Sequence, residues 1–485
     1  MSIFEFRNII NAADCYKFSH PFVISKSVDG LTAYIEARHG WADEVVFFGL
    51  QAYIREYLSK PITFEDIDLE EQIAKSALIP FHREMWDHIV TNYNGFLPVK
   101  IQALPEGTPV KHGIPVVQII STDRKFPGII SVIETSLLRA VWYPSSVATL
   151  SREIKKNLRD FIIATSDVPA ETLLPTMLND FGARGTSSGE SAALGGLGHA
   201  LNFIGSDTVE AIHAAITYYD HSLTRHGPVI ISVPATEHSV TTMNGEAGEC
   251  KFVGDTIDTF TKAGFPIISL VADSYDLDRF VSEYIGTVHK EKIEARDGFI
   301  VVRPDSGEPT QIVPHVIKLL WEKFGGTHNS KGFKILNPKV RVIQGDGVNR
   351  HSISAILEHV MAAGFSVENL VFGMGGQLLQ GPMRDDQSWA MKTNAVHFRA
   401  RDPNEELAGA LPWHDVQKKP KTDPTKASKA GRQAVVFYEG NYHSVREDTL
   451  GIGSHGTYNF LEMVWDSGKT IRTTNFIECR KRAEI

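Results

Sequence analysis

The sequence is poor in the features that mark several protein classes. Its 485 residues include three cysteines, Cys15, Cys250 and Cys479. They are odd in number, far apart and form no CxxC pair, which excludes a disulfide framework and a cysteine-based zinc site. No apolar run approaches the ~18–20 residues that span a bilayer, so no membrane role is expected. The opening MSIFEFRNIINAADCYKFSH lacks a basic-then-apolar segment ending in small residues. It does not read as a secretory leader, and the cytoplasm is the expected compartment. Positive charge is also short, with 49 basic against 58 acidic side chains and a net charge of −9. That balance argues against nucleic-acid binding, which needs a basic face. A small phosphorylated ligand stays open, because a few local basic groups can hold one inside an acidic protein.

What is present is ample apolar content. Hydrophobic residues make up 42% and charged residues 22%, enough for a sizeable core without metal or disulfide staples. The length suggests two or three domains, or one large barrel beside a second domain. Between about residues 175 and 380, short apolar runs end in polar or glycine-rich turns and lead into helical patterns. TMLNDFGARG, FIGSDTVEAIHAAITYYDH, VIISVPATEHS, PIISLVADSYD, GFIVVRPDSG, VRVIQGDGV and NLVFGMGGQLL follow this plan. Unbroken apolar strands alternating with helices predict a parallel sheet covered on both faces.

An irregular (β/α) barrel over 151–384 is preferred to an open doubly wound sheet. Every strand ends in a candidate functional group, and a barrel gathers all its strand ends on one face. The flanks, 1–150 and 385–485, mix helices with short antiparallel-looking strands and are expected to form one discontinuous α+β domain. IETSLLRAVWYPSSVATLSREIKKNL reads as two helices meeting at Pro144, since proline removes a helical hydrogen bond.

Each strand end has a plain reading beside a functional one. An aspartate after a strand is often a turn former or helix cap, and Asp207 is well placed to cap the helix that follows it. GDG is an ordinary turn sequence, and FGMGG is either a tight turn or a phosphate cradle. His238 in ATEHS is either a hydrogen-bonded structural residue or a catalyst. Arg303 and Asp305 in RPDSG are more specific, because two charges that close need partners if buried. The run KKPKTDPTKASKAGR over 418–432 is a solvated basic loop, a localisation patch or a lid over phosphates. Carboxylates, arginines, glycine turns and a histidine on one face describe a site for a multiply charged sugar phosphate with magnesium.

Taken in order, DFGARG, GSDTV, SVPATEHS, DSYD, RPDSG, VIQGDGV and FGMGG, with NAADCYKFSH, EARHG, WYPSSVATLSRE and DPTKASKAGR outside them, resemble the nicotinamide phosphoribosyltransferases. The resemblance covers nearly the whole chain. It implies a type II phosphoribosyltransferase fold and a homodimer with shared active sites. The implied reaction joins nicotinamide to phosphoribosyl pyrophosphate, giving nicotinamide mononucleotide and pyrophosphate in NAD salvage. Mg2+ and a coupled ATPase acting through a phosphohistidine are implied as well.

By the same resemblance, Phe181 and the partner's Tyr16 would stack the nicotinamide ring, and Asp207 would accept from its amide. Arg184 and Arg303 would bind the amide oxygen or phosphate. Asp305, Asp346, Gly345 and Gly376 would hold the ribose hydroxyls and 5′-phosphate, with Ser232 and Gly375 completing the substrate-binding set. Arg38, Arg384, Lys392, Lys418 and Lys426 would surround the pyrophosphate or a nucleotide phosphate chain. Asp273 would lie near the phosphates and magnesium, and His238 would be the phosphorylated residue. Two departures from animal members bear on the pocket: Ala183 replaces a bulkier residue, and the segment between Arg38 and Phe47 is shorter.

The alternative within the fold is a nicotinate phosphoribosyltransferase, and Asp207 discriminates, because a carboxylate repels nicotinate. A sugar-phosphate isomerase or aldolase barrel is the more distant alternative. Such an enzyme usually needs a catalytic lysine or a carboxylate base poised at a substrate carbon, and no barrel strand end here offers a lysine. A non-catalytic binding protein would tolerate loss of the site, yet every matched position holds a competent residue.

Overall fold

The computed structural model describes residues 8–400, 412–451 and 458–484. The chain divides into two compact units. One takes the described residues of Met1–Thr149, Ala214–Ser222 and Met383–Glu484, and the other Leu150–His213 and Leu223–Pro382. Ala214–Ser222, inside the stretch expected to be barrel, groups with the flanking unit. There Tyr219 is fully buried and donates to Glu106 Oε2 at 2.8 Å.

In the second unit six strands form one parallel sheet: β1 (Leu178–Asp180), β2 (Gly205–Ser206), β3 (Ile267–Val271), β4 (Phe299–Arg303), β5 (Val340–Gln344) and β6 (Leu370–Met374). Their spatial order is β2-β1-β6-β5-β4-β3. Residues 229–236 link the two edges. Ser206 N donates to Ile231 O at 3.0 Å on the β2 side. On the β3 side Thr236 N donates to Ser269 O at 3.0 Å and Ser269 N to Pro234 O at 2.9 Å. The expected strand VIISVPATEHS is therefore an extended segment with single bridges, since Pro234 has no N–H to continue a ladder. The result is an irregular closed barrel whose parallel strands end on one rim. Ile268, Leu270, Ile300, Val302, Val342 and Phe372 are buried along its strands. Helices Pro309–Phe324 and Arg350–Ala362 match the helical patterns PTQIVPHVIKLLWEKFG and RHSISAILEHVMAAG, while Gly245–Lys262 begins ten residues before the pattern DTIDTFTKAG.

The first unit is built on a seven-stranded antiparallel sheet drawn from both ends of the chain. Its order is His414–Asp415, Trp389–Phe398, Val28–Ala37, Val117–Ser121, Val99–Ala103, Glu462–Asp466, Lys469–Thr470. A core including Ile35, Phe47, Trp86, Ile119, Trp389 and Trp465 packs there.

Pro144 does not break the chain into two helices: Glu134–Thr165 is one helix with Pro144 inside it. The Pro144 ring and the Ala140 carbonyl, four residues back, both face Gly49. A Cβ at Gly49 would fall 2.4 Å from each. Gly49 also has φ +105°, so no side chain fits there, and its bare backbone accommodates the proline. Among the described residues no helix is long and apolar enough to cross a membrane.

Candidate active site

The barrel rim is organised first by Asp180, at the end of β1 and fully buried. Its Oδ1 accepts from Gly182 N at 2.8 Å, and its Oδ2 from Thr208 Oγ1 at 2.6 Å and Ser206 Oγ at 3.2 Å. Its backbone carbonyl takes Asp207 N at 3.0 Å. The loops after β1 and β2 are thereby tied together, and each carries one expected ligand contact.

On the first loop, Phe181 N donates to Met374 O at 3.0 Å. The phenyl ring lies on the bare backbone of Gly373, where a Cβ would fall 2.0 Å from Cε2. A Cβ at Gly345 would stand 3.6 Å from the same ring, 3.7 Å from Asp305 Oδ1 and 3.8 Å from Arg303 Cδ. The ends of β1, β4, β5 and β6 therefore converge around one aromatic face. Gly185 packs on Gly376, with a Cβ there reaching 2.9 Å from Gly376 Cα, while the space beside Gly375 is open. Arg184 and Asp346 are exposed on the same rim. On the second loop, Asp207 is exposed, and Ser232 Oγ donates to its Oδ1. Well placed in the sequence to cap the helix beginning at Val209, Asp207 turns its carboxylate to Ser232.

A second cluster surrounds His238, which opens the short helix His238–Thr242. Its Nδ1 lies 3.1 Å from Ser274 Oγ, and its Nε2 lies 3.2 Å from Asp305 Oδ2 and 3.7 Å from Asp273 Oδ1. Carboxylates only accept, so in the neutral ring Nε2 carries the proton and Nδ1 takes the Ser274 hydroxyl hydrogen. Asp273 Oδ2 accepts from Asp305 N at 3.1 Å and from Ser306 Oγ. Asp273 Oδ1 is buried with no hydrogen-bond partner among the described residues. Arg303 Nη1 stands 3.4 Å from Asp305 Oδ1. Asp273, Asp305, Arg303 and His238 are thus one net across the ends of β3 and β4 and the segment after residue 236. Ser274, Ser306, Thr208 and the role of Asp180 were missed in the sequence. Their partners lie 26 to 36 residues away, so although they sit inside the quoted strings, nothing local discloses what they bond to.

The expected phosphate-binding residues Arg38, Arg384, Lys392, Lys418 and Lys426 all lie in the α+β unit. Three of them share one electrostatic neighbourhood. Burial pulls the Lys392 ammonium below the ordinary lysine range; Glu134 opposes this, and the charges of Arg38, Lys418 and Lys17 add to it. Lys17, absent from the expected set, forms an ion pair with Glu134 at 2.5 Å. Arg38 Nε donates to Ser388 O at 3.3 Å. The basic run is closed at its base, where Ser428 N donates to Lys418 O at 2.9 Å and Lys418 N to Ser428 Oγ at 2.8 Å. Lys429 anchors it on buried Glu36 at 3.3 Å. Lys426 and Arg384 are instead paired locally, with Asp423 at 3.0 Å and Asp385 at 2.9 Å. Tyr16 lies in the same unit, 55% exposed, its ring edge-on to His20.

Residues 176–451 match the nicotinate phosphoribosyltransferase family, and residues 8–101 match the nicotinamide phosphoribosyltransferase N-terminal domain. The chain belongs to the nicotinate phosphoribosyltransferase family. Within the family it is 41% identical over 480 residues, 98% of each chain, to the nicotinamide phosphoribosyltransferase of Xanthomonas campestris pv. campestris. It is 32% identical to the nicotinamide phosphoribosyltransferase of Acinetobacter baylyi, covering 79% of this chain and 81% of that one. Two solved structures share the fold. The nicotinate-nucleotide pyrophosphorylase of Pyrococcus furiosus has a TM-score of 0.58 at 16% identity, covering 100% of this chain and 97% of that one. Human nicotinic acid phosphoribosyltransferase has a TM-score of 0.53 at 15% identity, covering 97% and 92%.

Proposed function

We propose that this phosphoribosyltransferase joins nicotinamide to phosphoribosyl pyrophosphate, releasing pyrophosphate and nicotinamide mononucleotide for NAD salvage in the cytoplasm. The observation that carries the choice of base is the Asp207 carboxylate, held at the end of β2 beside the Phe181 loop. A carboxylate accepts the amide N–H of nicotinamide and repels the carboxylate of nicotinate. Two charges ~4 Å apart cost about 4 kcal/mol at an effective dielectric near 20 and about 1 kcal/mol in water. Asp207 is exposed in the free chain, so the discrimination strengthens as the bound base excludes water.

Phe181, held on Gly373, would stack one face of the ring and so fix its plane, aiming the in-plane lone pair of the pyridine nitrogen at the ribose carbon. The nitrogen's lone pair attacks the anomeric carbon as the bond to pyrophosphate breaks, so no group need remove a proton. Positioning and charge stabilisation carry the rate. Arg184 and Arg303 would bind the amide oxygen or a phosphate. Asp305, Asp346, Gly345, Gly375 and Gly376 would hold the ribose and its 5′-phosphate. Arg38, Arg384, Lys392, Lys418 and Lys426 would neutralise phosphate charge. In the proposed homodimer, Tyr16 of the partner subunit would cover the second face of the ring.

The Asp273 and Asp305 carboxylates suit magnesium, and Asp273 Oδ1, which accepts no hydrogen bond among the described residues and faces His238 Nε2 at 3.7 Å, can supply an oxygen. Two carboxylates completed by water and phosphate oxygens form a usual donor set for that ion. When bound, magnesium would draw charge from the departing pyrophosphate.

His238 is proposed to take the γ-phosphoryl group of ATP. The unprotonated Nδ1 bonds to phosphorus as the bond to ADP breaks, while Asp305 and Asp273 stabilise charge growing on the ring. Hydrolysis of the phosphohistidine then returns the free ring and phosphate. The test is to incubate the protein with phosphoribosyl pyrophosphate, magnesium and either base, with and without ATP, and to identify the mononucleotide by mass. Product from nicotinamide, increased by ATP, is expected; no product from nicotinamide overturns the proposal. His238→Ala is expected to abolish the ATP increase while leaving ATP-free transfer within about threefold.

A further inference from the structure

We propose that Asp180 is a positioning residue for base selection: it fixes the amide-reading Asp207 against the ring-stacking Phe181, and so sets the preference for nicotinamide over nicotinate. The inference rests on the reading of Asp207 given above.

Asp180 has no direct path to a substrate, because its side chain is fully buried and enclosed by backbone. A Cβ at Gly182 would fall 3.1 Å from its Oδ1, and one at Gly196 would fall 3.3 Å from its Oδ2. It acts on the three-residue strap Ser206-Asp207-Thr208, which it holds at both ends and in the middle. Ser206 Oγ and Thr208 Oγ1 donate to Oδ2, and Asp207 N donates to the Asp180 carbonyl. Thr208 N in turn donates to Ser206 Oγ at 3.0 Å, closing the strap on itself. Thr208 and Ser206 are 0% and 2% exposed, so water does not compete for these bonds. The other carboxylate oxygen holds Gly182 N, the residue after Phe181. One buried carboxylate therefore sets the spacing of two neighbouring loops, while the only side chain of the strap left exposed is that of Asp207.

The spacing matters because the two arms of selection depend on distance differently. A hydrogen bond to the amide weakens outside a window of a few tenths of an ångström, whereas repulsion of a second carboxylate falls only as the inverse of distance. Loosening the strap should therefore cost nicotinamide more than it helps nicotinate. Both changes narrow the ratio between the bases, and binding of phosphoribosyl pyrophosphate should be spared. A merely structural role would instead lower turnover with both bases equally.

The experiment compares Thr208→Val, Thr208→Ser and Asp180→Asn with Asp207→Ser, using kcat and KM for nicotinamide, nicotinate and phosphoribosyl pyrophosphate. Thr208→Val deletes the hydroxyl that bonds Asp180 at near-constant shape, and Thr208→Ser keeps it. Asp180→Asn presents an amide N–H where a donor already points. Thr208→Val and Asp180→Asn are expected to raise the nicotinamide KM about tenfold. The nicotinamide-to-nicotinate ratio of kcat/KM should fall about as much, with the phosphoribosyl pyrophosphate KM within about twofold. Thr208→Ser should restore the ratio. If Asp180→Asn does not fold, the contrast of valine with serine at 208 decides. An unchanged ratio in Thr208→Val, where Asp207→Ser does change it, overturns this inference alone. No change in Asp207→Ser overturns the amide reading and this inference with it.

Discussion

The barrel rim and the basic face of the α+β unit carry their charges in opposite ways. On the rim, short side chains are tied to one another: His238 to Ser274 and Asp305, Asp273 to Ser306 and Asp305 N, Asp180 to three donors. On the basic face, Arg38 and Lys418 act on Lys392 through charge, each on a long flexible stem. The contrast separates two tasks. The rim fixes geometry, which tolerates little error. The basic face supplies field, which is a sum over several groups and is screened by salt.

If that division is right, the largest loss comes from the rim. Asp305→Ala removes the carboxylate shared by His238 and Arg303, and kcat should fall about 100-fold or more, measured with saturating substrates. A loss under tenfold would break the contrast. A smaller and different effect is expected on the basic face. Lys392→Met should raise the KM for phosphoribosyl pyrophosphate about tenfold and leave kcat nearly unchanged, with the effect shrinking as salt is added.

The pH dependence sharpens this further. Because the Lys392 pKa lies below the ordinary lysine value, its positive charge is lost as pH rises through that lowered value. The KM for phosphoribosyl pyrophosphate should therefore climb on the alkaline side earlier than an unperturbed lysine would dictate, and the climb should flatten in Lys392→Met. The smallest effect belongs to Lys426, exposed and already paired with Asp423. Lys426→Ala should change any constant by less than about twofold.

The same contrast explains how much the sequence discloses. The barrel was legible because its strands are apolar runs that end in polar turns, so Asp207, Arg303 and Asp305 could be picked out from strand ends alone, whereas Phe181 needed the family resemblance. Their roles, and the choice of base, needed the family strings. Asp180, the aspartate of TMLNDFGARG, does not show itself as an organiser in the sequence, because Thr208 and Ser206 become its partners only when β1 and β2 pair. Ser274 and Ser306 look like ordinary turn residues until β3 and β4 lie side by side. Pro144 misled because its cost depends on what faces the helix, here a glycine with a positive φ in a distant segment. Lys17 escaped notice because a lone lysine near the N-terminus gains meaning only beside Glu134 and Lys392.

The most direct test of the central claim is a competition. Equal concentrations of nicotinamide and nicotinate, supplied together with phosphoribosyl pyrophosphate and magnesium, are converted by the protein and by Asp207→Ser, and the two mononucleotides are counted by mass. Almost only the amide product is expected from the unaltered protein, and a product ratio that drops about 100-fold in the variant. Equal products from the unaltered protein, or a ratio that Asp207→Ser leaves unchanged, would contradict the claim.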